Sequence, residues 1–150
     1  MPGFSRRTAA ATVPPQIGGM AMDSLALALG RALIVAIFIQ SGYMKLVAPA
    51  GIAGLLTSKG LPMPVVLAYA AGAAELGLGA LILIGWKTRF AAAAMILFVI
   101  VATYLGHDFW HMTDPARRMN LVHFMKNVSI MGGLLVLIGS GAGRYSVDRS

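Results

Sequence analysis

Four runs of predominantly apolar residues, 25–47, 64–85, 90–108 and 120–139, limit what this chain can fold into more than anything else in it. Each holds about 20 residues, the number a helix needs to cross a hydrocarbon core of about 30 Å. Lipid offers no partner to backbone N–H and C=O groups, so a segment inside it closes its own hydrogen bonds as a helix. The expected fold class is therefore all-α, an integral membrane four-helix bundle. Composition agrees, because 58% hydrophobic and 11% charged residues leave too few polar groups to coat a soluble core. The lipid bilayer is the first partner implied.

Residues 1–22 are rich in Ala, Pro, Thr and Gly and read as a flexible N-terminal tail, since no apolar signal core follows Arg6-Arg7 before Pro14-Pro15. Met20 and Met22 are alternative starts to Met1. Residues 23–150 form the four-span domain, with Asp23-Ser24 offering an N-cap and Pro49 a stop to the first span. Arg31 and Lys45 lie towards opposite ends of that span, from which long side chains snorkel to the headgroups. Residues 48–63 read as a short amphipathic piece and a turn, and Pro64 suits a first helical turn. Trp86-Lys87-Thr88-Arg89 makes the second and third spans antiparallel neighbours, and Asp114-Pro115 breaks the chain ahead of the fourth.

A net charge of +7 raises nucleic acid as a partner, but the basic residues sit singly or in pairs beside apolar runs rather than in a stripe, so none is expected. Four spans leave both termini on one side, and the Lys/Arg excess there favours the cytoplasm. The absence of Cys excludes thiolate metal sites and dithiol chemistry within the chain. No intrinsic cofactor is called for.

Glu75 is the sharpest single signal, because an ionised acid at mid-span costs about 2.5–3.5 kcal/mol on insertion scales and should face protein. Ala68, Ala71, Gly72 and Gly79 share its helical face and are small enough to admit a neighbouring helix. It is either a lock within the bundle or an acid that handles protons or binds a ligand. Candidate partners converge on it: Gln40, Ser41 and Lys45 from the first span, Tyr104 and His107 from the third, Asn120, His123, Lys126 and Asn127 from the fourth. His107, His111 and His123 have a spacing that could serve a metal or haem, but capping and headgroup contacts explain them better, and no metal site is assigned. Phe109, Trp110 and Tyr104 form an aromatic belt or a platform for a flat ring.

The segments GRALIVAIFIQSGYMKL (30–46), KGLPMP (59–64), AAELGLGALILIGWKTRFAA (73–92), HDFW (107–110) and FMKNVSIMGGLL (124–135), in that order and spacing, resemble the DoxX family of small bacterial membrane proteins. The resemblance covers almost everything after Leu25. It implies a four-helix protein of the bacterial inner membrane, with some relatives linked to quinones, to a thiosulfate:quinone oxidoreductase, or to oxidative-stress complexes. The motif positions it carries over are Gly42, Lys45, Glu75, His107, Asp108, Lys126 and Asn127. The expected function is a quinone-linked or redox-stress-associated membrane subunit with a polar intramembrane pocket. In it Glu75 carries a proton, and Lys45, His107, Asp108, Trp110, Lys126 and Asn127 bind a quinone or small aromatic ligand. Electrons would come from a redox partner protein. The alternatives are a non-enzymatic scaffold, in which Glu75 is a polar lock, and a small proton-coupled transporter.

Overall fold

The computed structural model describes residues 17–148. Its order is α1 (Ile17–Val47), α2 (Ala50–Ser58), α3 (Pro64–Ile84), α4 (Thr88–Gly106), a 3-10 turn at Phe109–His111, and α5 (Ala116–Ser140). Four stretches are long and apolar enough to cross a membrane: Ser24–Val47, Pro64–Ile84, Thr88–His111 and Ala116–Ser140. The fold is the expected all-α membrane bundle.

A glycine ends α3, and prolines mark the starts of α3 and α5. Gly85 adopts φ 71°, which a residue without Cβ tolerates. Its N–H then donates to the carbonyl of Ile82, and that of Trp86 to Leu81, closing α3 in a Schellman motif. Pro64 occupies the first turn of α3, as expected, and Pro115 precedes the first residue of α5.

Several boundaries differ from the sequence reading. Helix α1 begins at Ile17, so the expected tail loses its last six residues, and Asp23-Ser24 lies inside the helix rather than capping it. No proline follows Pro15 in this stretch, and adding turns to an existing helix is cheap compared with nucleating one. The rest of the expected tail lies outside the described residues. Helix α4 stops at Gly106 instead of running to 108, and α5 starts four residues before the apolar run it carries. Hydropathy marks where lipid begins, whereas a helix continues until its backbone is broken.

The packed core is displaced towards one end of the bundle. Val35, Phe38, Ile82, Ala91, Ala92, Met95, Val99, Leu134 and Leu137 form one buried cluster. Most of these lie in the last part of α3 and α5 and the first part of α4, the half that contains the α3–α4 turn. At that end Arg31 does not snorkel. It is 2% exposed and donates through Nη2 to the carbonyl of Tyr145. The segment after α5 folds back over the α3–α4 turn, where the N–H groups of Val147 and Asp148 donate to Ile84 and Gly85. The carboxylate of Asp148 accepts from the backbone N–H groups of Lys87 and Thr88, each at 3.0 Å, and so caps α4.

Candidate functional site

The opposite half is built around an unusually close approach of α1 and α3. A Cβ placed on Gly42 would lie 2.8 Å from the carbonyl oxygen of Gly72, and one on Gly72 would lie 2.9 Å from that of Gly42. Only glycine at both positions lets the backbones approach this closely. One turn further along each helix, Lys45 Nζ meets Glu75 Oε2 at 2.8 Å, with side-chain exposures of 13% and 6%. Lys45 also donates to Ser41 Oγ at 2.5 Å, and Ser41 donates to Glu75 Oε1 at 3.2 Å. Both carboxylate oxygens are thus satisfied, as a buried acid requires. Of the two lysines that sequence offered as charge partner, Lys45 is the one that reaches Glu75.

Where the core gives out, a cavity of about 710 Å³ opens. Its walls are mostly apolar and come from every helix: Phe38 of α1, Leu55 of α2, Ala71 of α3 and Ala102 of α4 are representative. Polar groups enter it from Ser41, Lys45, Glu75, His107, Lys126 and Asn127. Asn127 donates through Nδ2 to Thr103 Oγ1 at 2.8 Å, and Thr103 donates in turn to the carbonyl of Val99 at 2.6 Å. His107 Nδ1 lies 3.1 Å from Asn120 Oδ1, while Asn120 Nδ2 donates to the carbonyl of Ala116. That oxygen can only accept, so the imidazole proton is assigned to Nδ1. The ring of His107 stacks on His123 with centroids 4.9 Å apart.

Two residues expected at the ligand do not line the cavity. Asp108 pairs with Lys59 at 2.7 Å and ties the end of α2 to the segment after α4. Trp110 is 44% exposed and packs with Tyr104, Phe109 and Phe124 in an aromatic patch. Both are moved to the rim by one cause, the end of α4 at Gly106 and the 3-10 turn after it. Among the described residues no three of His, Asp and Glu are grouped to hold a metal ion.

Sequence reasoning missed Lys59, Thr103 and Asp148. A lone Thr in an apolar span was the available signal for Thr103, since its hydroxyl needs an acceptor there.

The family model described as DoxX matches residues 26–108. The chain belongs to the DoxX family. Among its relatives, Inner membrane protein YphA of Escherichia coli (strain K12) is 37% identical over 123 residues, covering 82% of this chain and 88% of the relative. Inner membrane protein YqjF of the same organism is 31% identical over 131 residues, covering 85% and 93%. A shorter stretch of 71 residues is 38% identical to the Surfeit locus protein 4 homolog of Schizosaccharomyces pombe, covering 46% of this chain and 24% of that one. No solved structure matches the chain. With four apolar spans and inner-membrane relatives, this DoxX protein is a multi-pass protein of the inner membrane. The DoxX match contains Lys45, Glu75 and His107 and ends at Asp108, so Lys126 and Asn127 on the cavity's far wall fall outside it.

Proposed function

We propose that this DoxX protein binds a small ring compound of the quinone class in the cavity between its helices. The observation that carries the reading is the cavity itself. It has a volume in the range typical of small-molecule sites, about 300–1,000 Å³, and apolar walls with a charged, hydrogen-bonded pair set into one side. A ring would lie against the apolar walls and turn an oxygen towards the polar groups. The run Lys45–Ser41–Glu75 supplies adjoining donors and acceptors along which a proton can pass, so Glu75 is the proton carrier at a ligand that gains or loses protons. Electrons for any reduction come from a redox partner protein. The termini lie in the cytoplasm on this reading, and the cavity opens in the opposite half of the bilayer.

A second reading is favoured by the same ion pair, which joins α1 to α3 at their closest approach and would serve a scaffold equally well. Replacing both charges with apolar side chains, Lys45→Met with Glu75→Leu, separates the two, since well-packed apolar residues often replace a buried pair without loss of stability. Naphthoquinone binding to the purified protein in lipid nanodiscs is followed by quenching of tryptophan fluorescence. A doubly substituted protein that melts normally and no longer binds supports the ligand reading. Undiminished binding by that protein, or none by the unsubstituted one, sinks it.

A further inference from the structure

The polar groups on the cavity wall differ in one respect that bears on the ligand. Ser41, Lys45 and Glu75 satisfy one another, His107 is engaged by Asn120, and Asn127 donates to Thr103. Lys126 makes no hydrogen bond or ion pair among the described residues. It lies ten residues after Ala116, about 15 Å along α5, and is an exposed residue that lines the cavity. None of the four acids whose side chains are described pairs with it. Glu75 is held by Lys45, Asp108 by Lys59, Asp114 by Arg118, and Asp148 by backbone amides. Since Lys45 and Glu75 cancel, Lys126 gives the cavity wall one positive charge with no counter-charge among the described side chains.

From this balance, which rests on the ligand reading above, we infer that the cavity is selective for an anionic amphiphile, with Lys126 holding its oxyanion and the apolar walls its ring or chain. A carboxylate qualifies, and so does the phenolate of a hydroxylated quinone. A neutral ring of the same shape keeps the apolar contacts but leaves the ammonium without a counter-ion. Charge-assisted hydrogen bonds are roughly twice as strong as neutral ones, and the difference grows where water is scarce.

The test uses two fluorescent probes of one shape, 9-anthroate and 9-anthracenemethanol, with the protein in phosphatidylcholine nanodiscs and empty nanodiscs as the partition control. The unsubstituted protein is expected to prefer the carboxylate by about tenfold or more. Lys126→Gln should abolish that preference and leave the alcohol within about twofold, while Lys126→Arg retains it. Ala102→Trp, which fills the cavity, should remove binding of both probes. If Lys126→Gln leaves the preference intact, Lys126 is only a cation that snorkels to the headgroups, and the inference falls while the cavity reading stands. If neither probe binds the unsubstituted protein, or Ala102→Trp changes nothing, both fall.

Discussion

Gly42 and Gly72 face each other across α1 and α3, and each stands three residues ahead of a charged side chain, Lys45 and Glu75, that meets its counterpart from the other helix. Backbone contact and ion pair are one device, because the first sets the distance across which the second forms.

Gly72→Ala should therefore destabilise the protein by about 1–3 kcal/mol, the usual cost of overpacking, since its Cβ would meet a carbonyl that cannot move aside. Gly132→Ala on α5 is the control, because nothing lies within 4 Å of its added Cβ. Thermal melting in detergent should fall for the first substitution and hold or rise slightly for the second.

Removing one member of the pair should be worse than removing both. Glu75→Gln leaves the Lys45 ammonium buried without its counter-charge, and a loss of about 3–5 kcal/mol is expected for a broken buried pair. Lys45→Met should behave similarly, and the Met/Leu double substitution should recover most of the loss. Additive losses in denaturation experiments would show that the two side chains are not coupled.

Asp148 gives the protein an acid-sensitive end. The N–H groups of Thr88 and Lys87 hold its carboxyl below the usual carboxylate range. A group whose folded value is depressed contributes stability above its unfolded value, about 4, and loses it as pH falls through the folded one. The segment after α5 should therefore detach from the α3–α4 turn only below about pH 4. Trp86 beside Lys87 reports this by fluorescence in a Trp110→Phe background, and Asp148→Ala should release the segment already at neutral pH.

Arg31 and the same segment form a second coupled pair. Deleting residues 142–150 removes the acceptor supplied by Tyr145 and should destabilise the protein strongly while Arg31 is present. In an Arg31→Leu background the same deletion should cost much less. Equal losses in both backgrounds would separate the guanidinium from the segment.

The spans and the half of the site nearest α1 and α3 were legible from sequence because their signals are local. Apolar runs of fixed length give the helices, and an acid in mid-span demands a cation from a neighbour, which Lys45 supplies. Lys45 and Lys126 could not be ranked as partners, since the choice depends on the close approach of two glycines on different helices. Arg31 was misread because its acceptor is a backbone carbonyl, which has no residue type to recognise. Trp110 and Asp108, which sequence places on the cavity lining, lie off it for another reason. The apolar run hides the end of α4, and two residues past a helix end point elsewhere than two residues within it.

The link between Arg31 and Tyr145 also bears on the order in which the protein is made. The first span enters the membrane with a guanidinium whose acceptor lies 114 positions downstream. Glu75 finds Lys45 already in place when it emerges, but Arg31 waits through the synthesis of three further spans. A nascent chain halted before Tyr145 leaves the Nη2 group of Arg31 without that acceptor, so an unfinished product differs from a finished one at a site made long before the interruption.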